Sequence, residues 1–198
     1  MTPFRLERLA RTALFAALLA LPSGAALAAD FDLGQLMQTL AQNRGNRAVF
    51  VEKKYLAVLD KPVESSGELL YVAPGRLEKR TLKPRPESVV LDGGILTVER
   101  GKQRHQLVLQ DYPEVSAFVE SIRGTLAGDR KALERVYGLH LEGSLERWTL
   151  YLLPNDPKMA ALVSRIRIAG TKGEVRSVEI LQADGDRSVM AIDKAGAP

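Results

Sequence analysis

Few side chains in this 198-residue chain have the type and spacing that catalysis requires. Its two imidazoles, His105 and His140, fall in or beside strand-like runs with no carboxylate cluster nearby. Each is expected as a surface or half-buried strand residue, not a general base or metal ligand. Ser121 and Arg123 fall on a helical run, where packing or a lid contact accounts for them better than a nucleophile pair. A small lipid hydrolase would need a histidine and a carboxylate to converge on Ser121 or Ser188. Asp184-Gly185-Asp186 starts like a calcium loop but lacks the rest of the ligand pattern, and a β-turn explains it. G-x-S-x-G, H-E-x-x-H and Gly-rich phosphate-loop patterns are missing from the sequence, and so is cysteine. The residues point to a non-enzymatic protein with neither cofactor nor metal.

What remains is the pattern of apolar residues and the elements it builds. Residues 31–43 place Phe31, Leu33, Leu36, Met37 and Leu40 at helical spacing, with Asp30 or Asp32 to cap the start and Gly45 to stop it. The period then changes. Strand-like runs cover 47–59, 66–73, 76–83, 88–91, 95–99 and 104–109. Pro74-Gly75, Pro84-Arg85-Pro86, Asp92-Gly93-Gly94 and Gly101-Lys102 separate them with the backbone geometry that hairpins need. Links this short make neighbouring strands antiparallel. A helix over 113–124 opens on Pro113 and carries Val115, Phe118, Val119 and Ile122 on one face; a shorter one over 129–136 is capped by Asp129. Strands resume at 137–143, 146–153, 164–169, 174–182 and 186–192, followed by a frayed tail from Lys194.

The total is about ten strands with a helix in front and a helical insertion in the middle. Two architectures fit that count. One is a two-sheet sandwich, and the other is a single curved sheet wrapped around its helices. Phe50, Tyr55, Tyr71 and Trp148 would line the hollow of the second.

The first residues address the chain. Arg5, Arg8 and Arg11 precede an apolar run from Leu14 to Leu21, then Pro22-Ser23-Gly24 and small residues at Ala26 and Ala28. This is a cleavable secretory signal over residues 1–28, with cleavage before Ala29. The apolar run is short of the ~20 residues that span a bilayer, and a lipid anchor would need a cysteine. Cleavage leaves about 170 residues, enough for one domain over 29–198 with its own core. It removes three of the 28 Lys and Arg and one of the 24 Asp and Glu, leaving a net charge of about +2 with signs interleaved. Nucleic acid is not the expected partner. An exported chain without disulfides or an anchor is expected to be soluble and periplasmic.

In order and spacing, the strand block resembles the LolA family of periplasmic lipoprotein carriers. The likeness is carried by Phe50-x-Glu52, Ser66-Gly67-Glu68-Leu69, Pro74 with Leu77-Glu78, Asp92-Gly93 after Pro84, and Trp148-Thr149-Leu150-x-Leu152-x-Pro154. Ser121-Ile122-Arg123 through Leu126-Ala127-Gly128-Asp129 resembles a LolA-related subgroup. The resemblance implies a half-open, strongly curved antiparallel sheet, an incomplete barrel with helices covering its concave face. It implies a carrier that takes acyl chains of lipoproteins, or another long-chain lipid, from an inner-membrane donor to an outer-membrane acceptor. Strand alternation puts Leu69, Tyr71 and Leu77 on the face of the hollow. Phe50, Leu96, Val98, Leu107, Leu109, Trp148, Leu150 and Leu152 join them as expected lining, with Leu36, Leu40, Phe118, Ile122 and Arg123 as the lid.

Three departures from the family's pattern stand out. Ala73 replaces the arginine that precedes the strand-turn proline and ties sheet to lid, with Arg76 only nearby, so closure and release are expected to work differently. Leu77 and Lys79 occupy positions that are often aromatic. The chain also stops soon after the last expected strand, and the three departures together widen the expected cargo beyond lipoproteins. A monomer is expected. The rival from another class is a periplasmic sensor of the same shape that binds a partner protein, with lipid as its signal.

Overall fold

The computed structural model describes residues 31–195. The expected signal over 1–28, its cleavage point and the end of the frayed tail lie outside the described residues. The first element is α1 (Leu33–Ala41), opened by a capping box. The Asp32 carboxylate accepts the Gln35 N–H at 2.8 Å, and the Gln35 side chain accepts the Asp32 N–H at 3.3 Å. Six strands follow: β1 (Gly45–Tyr55), β2 (Val63–Val72), β3 (Arg76–Lys83), β4 (Glu87–Asp92), β5 (Ile95–Arg100) and β6 (Gln103–Val108). A 3-10 turn over Leu109–Asp111 leads into α2 (Pro113–Ala127) and α3 (Arg130–Val136). The chain then forms β7 (Tyr137–Ser144), β8 (Arg147–Pro154), a single helical turn α4 (Pro157–Ala160), β9 (Val163–Thr171), β10 (Glu174–Gln182) and β11 (Arg187–Lys194).

All eleven strands belong to one antiparallel sheet in the order β6-β5-β4-β3-β2-β1-β11-β10-β9-β8-β7. Two meanders, β1 to β6 and β7 to β11, are thus joined where the first strand pairs with the last, with Phe50 opposite Ile192 and Glu52 opposite Met190. The sheet does not close, and β6 and β7 remain as its edges. Of the two architectures that the sequence allows, this is the single curved sheet. Register shifts at Ser66/Gly67, Val175/Ser177 and Leu181/Gln182 help it bend. Gly67 is required there, because a Cβ would lie 2.0 Å from the Arg80 carbonyl oxygen.

Several boundaries differ from the expectation. The strand expected through residue 59 ends at Tyr55, since Leu56–Leu59 closes a turn by a 2.9 Å bond from the Leu59 N–H to the Leu56 carbonyl. Asp186, in the turn before β11, accepts the Ala57 N–H at 2.8 Å and holds that loop, leaving Val58 88% exposed. Leu109, expected in a strand, sits instead in the 3-10 turn. The expected helices over 113–124 and 129–136 are α2, extended to Ala127, and α3 with Asp129 as its cap.

Alternation turns one face of every strand toward the helices, and on that face lie two apolar clusters of unequal size. The larger joins Trp148, Leu150, Leu152, Ile166 and Ile168 of β8 and β9 to Leu36, Met37 and Leu40 of α1, Leu133 of α3 and Tyr137. The Trp148 indole N–H donates to the Lys172 carbonyl at 2.8 Å. Tyr137 donates to the Ala117 carbonyl at 2.9 Å, and burial pushes its hydroxyl pKa up to about 12. The smaller cluster has only Leu91, Leu109 and Val119 fully buried, with Leu77, Leu96 and Val115 against them.

Candidate functional site

Between the two clusters the sheet and helix do not meet, and a cavity of about 310 Å³ remains. One wall comes from β2 to β5, through Leu69, Tyr71, Leu77, Val89, Leu91 and Leu96. The facing wall comes from β9 to β11, through Ile168, Val175, Val178, Ile180, Met190 and Ile192. Phe118, Val119, Ile122, Thr125 and Leu126 of α2 form the roof. The cavity exists because α2 crosses the seam between the meanders with a few large apolar residues, while the sheet curves away beneath it. Thr125 adds no free polarity, because its hydroxyl donates to the Ser121 carbonyl at 2.6 Å.

One charged group is buried in the wall. Glu52 is 5% exposed on the concave face of β1. Its carboxylate accepts from Lys79 Nζ at 2.6 Å, Ser188 Oγ at 2.6 Å and Ser65 Oγ at 3.4 Å, with Lys54 Nζ at 3.9 Å. Burial alone would raise its pKa. Hydrogen bonds from Lys79 and Ser188, with the positive charges of Lys79 and Lys54, outweigh that and hold the carboxyl below its ordinary value. The Lys79 ammonium lies 4.9 Å from the centre of the Phe50 ring, within cation–π range. Tyr71, facing Arg123 across the cavity rim, has its hydroxyl pKa raised by burial.

The residues expected as lining divide into three groups. Leu69, Tyr71, Leu77 and Leu96 are on the cavity wall. Phe50, Val98, Leu107 and Leu109 are beside it: Phe50 is buried under Lys79, Val98 and Leu107 are half-buried towards the β6 edge, and Leu109 belongs to the smaller cluster. Trp148, Leu150 and Leu152 are a correction, for they are packed in the larger core and do not reach the cavity. The expected lid divides in the same way. Phe118 and Ile122 roof the cavity, whereas Leu36 and Leu40 have no exposed surface and are core residues of α1. Arg123 pairs with Glu120 through two bonds of 2.8 and 2.6 Å, and its stem lies against Gly75 in the β2–β3 turn.

Sequence reasoning missed the Glu52–Lys79–Ser188 cluster and the wall from β10 and β11. The signal was present. Glu52 shares the face of Phe50, and Lys79 shares that of Leu77, so period-2 alternation already turns both charges inward. The serines considered for hydrolysis are otherwise engaged: Ser121 donates to the Phe118 carbonyl at 2.6 Å and Ser188 donates to Glu52. His105 and His140 are both exposed.

The chain is similar to several known proteins. Among solved structures, the chain is similar to the LolA superfamily protein NE2245 from Nitrosomonas europaea, at 11% identity and a TM-score of 0.44, over 82% of this chain and 93% of that one. It is similar to a chain of the Pseudomonas aeruginosa MucA/MucB complex, at 15% identity and a TM-score of 0.46, over 84% of this chain and 58% of that one. LprF from Mycobacterium bovis matches at 12% identity and a TM-score of 0.36, over 84% and 93%. No protein of curated function matches the sequence. The family described as "Outer membrane lipoprotein carrier protein LolA-like" matches residues 25–197, nearly the whole chain. This protein therefore belongs to the LolA-like family.

Proposed function

We propose that the protein is a periplasmic carrier that shelters an acyl chain, of a lipoprotein or of another long-chain lipid, between α2 and the concave face of the sheet. It is exported through the cleavable signal over residues 1–28, acts as a monomer, loads from an inner-membrane donor and unloads towards an outer-membrane acceptor. The observation that carries this reading is the cavity itself. Its volume of about 310 Å³ is at the lower end of the ~300–1,000 Å³ of ligand pockets, and its walls are almost wholly aliphatic and aromatic. Each methylene withdrawn from water contributes ~0.8 kcal/mol, so an acyl chain has a strong reason to enter. Phe118 and Ile122 supply a roof that the chain must displace or share, which offsets part of that gain and keeps hand-off reversible. Membership of a carrier family supports the same reading.

Native mass spectrometry of protein purified from periplasm without detergent, followed by lipid extraction, tests it. A stoichiometric acylated species that passes to acceptor vesicles is the expected result. A ligand-free protein that also refuses acyl probes would overturn the carrier reading in favour of a partner-binding sensor.

A further inference from the structure

Several polar groups of the cavity are spent in bonds to the protein, the Tyr71 hydroxyl and the Lys79 ammonium less so. Thr125 is bonded to the Ser121 carbonyl, and Asn43 to the Gly173 carbonyl. Arg176 and Lys194 are paired with Glu174 on the exposed rim. Glu52 already accepts three hydrogen bonds. Lys79 differs. Its ammonium has three N–H donors, and among the described residues it makes one hydrogen bond, to Glu52. Its side chain keeps 29% of its surface open on the cavity wall, and the Phe50 ring backs it from the other side. The wall therefore carries spare donors.

Of the two ammonium groups near the Glu52 carboxylate, Lys54 at 3.9 Å is half-exposed and screened by water, whereas Lys79 at 2.6 Å is the partly buried one. A ligand group that accepts hydrogen bonds and carries a negative charge would take up the spare Lys79 donors.

We propose that Lys79 is a head-group subsite, and that the cavity takes a free long-chain fatty acid whose carboxylate accepts from the Lys79 ammonium while its chain lies along Leu69, Leu77 and the roof. This rests on the carrier reading and narrows its cargo. An ester or amide carbonyl, as in a lipoprotein's acyl groups, is also an acceptor, but an uncharged one. Charge-assisted bonds are about twice as strong as neutral ones, so the acid is preferred.

The test measures binding of the intrinsically fluorescent cis-parinaric acid and of its methyl ester to the purified protein. The parent should prefer the acid on the order of tenfold, as one charge-assisted hydrogen bond predicts. Lys79→Met should abolish the preference, weakening acid binding about tenfold and ester binding by less. Because that substitution strands Glu52, the double variant Glu52→Gln/Lys79→Met gives the same readout in a charge-neutral wall. Glu52→Gln alone should raise affinity for the acid and not the ester, a result that a purely structural ion pair would not produce. Equal affinity for acid and ester in the parent, or an acid preference surviving in the double variant, would overturn the inference and leave the carrier reading intact. Binding of neither probe would overturn both.

Discussion

The two ends of this sheet present the same kind of face to the helices and use it differently. On β8 and β9, every inward residue from Trp148 to Ile168 is met by α1, α3 or a neighbour, and exposure falls to about zero. On β2 to β5, Tyr71 and Leu91 are buried, but the equally apolar inward residues Leu69, Leu77, Val89 and Leu96 remain half-buried. The difference lies in the cover. α1 contributes three fully buried residues to its end of the sheet, whereas α2 spans the gap with side chains that stop short of the floor. The β8–β9 end is where the fold packs most closely, and the β2–β5 end leaves apolar surface uncovered.

The largest effects should separate these ends. Leu150→Ala deletes fully buried methyl groups and should cost ~2–5 kcal/mol, read from the shift in the urea unfolding midpoint. Leu77→Ala removes the same atoms beside an existing void and should cost about 1 kcal/mol or less. Equal losses would mean that the cavity end is as tightly packed as the core. Gly128→Ala belongs with the first group. Gly128 ends α2 at φ +64°, and a Cβ there would lie 2.1 Å from the Met37 carbonyl oxygen, forcing α1 off α2. A loss of ~2 kcal/mol or more is expected.

How far this contrast was legible in the sequence follows from which residues signal it. Turn chemistry at Asp92-Gly93-Gly94 and Asp184-Gly185-Asp186 located hairpins correctly, because those residues act within a few positions of themselves. The capping signal at Asp32 did the same for α1. Alternation put Leu69 and Leu150 on the same inward face, and there its information ends. Whether an inward leucine meets a helix or a void depends on where α1 and α2 lie, which is a contact between distant parts of the chain. Local pattern therefore groups Leu150 and Leu36 with Leu69 as cavity or lid. The seam between β1 and β11 is of the same kind. It joins the two ends of the domain and puts Met190 and Ile192 in the cavity wall, beyond the reach of local patterns.

At that seam, Glu52 is the next place to press. Glu52→Gln keeps the shape but removes the charge that Lys79 and Ser188 hold, and should cost ~2 kcal/mol at neutral pH. The pH dependence has a definite sign. The folded carboxyl titrates below the ordinary value of 4.5, so between the two values the unfolded chain binds the extra proton. The stabilisation is thus complete above pH 4.5 and is lost as pH falls through the folded value. Urea midpoints of parent and variant should converge as pH drops below 4.5. A constant gap down to the acid transition would mean that the ion pair is not what holds Glu52.

A carboxylate placed in the wall should act on the other side of the contrast. Leu69→Glu sets a charge against aliphatic lining and should weaken acyl-probe binding about tenfold, equivalent to ~1.4 kcal/mol. Its urea midpoint should move far less than that of Leu150→Ala. A variant that binds as the parent does would remove Leu69 from the ligand's path.

The smallest effect concerns how the roof is held. The arginine expected before the strand-turn proline is Ala73, but an arginine reaches that turn from the opposite direction. Arg123 projects from α2, its stem against Gly75 and its guanidinium clamped by Glu120. The Arg123–Glu120 pair is only partly buried, so its contribution to stability should stay within about 1 kcal/mol. Its contribution to the roof is positional, because it fixes the face of α2 that carries Ile122 and Phe118 over Tyr71. Arg123→Ala should therefore leave the unfolding midpoint nearly unchanged while release of a fluorescent acyl probe to vesicles quickens about two- to threefold, as loss of a surface-grade interaction would allow. Glu120→Gln should move release in the same direction by less, because the stem still packs on Gly75. Unchanged release in both variants would assign the roof's grip to Phe118, Val119 and Ile122 alone, and the two ends of the sheet would then differ only in how completely apolar residues cover them.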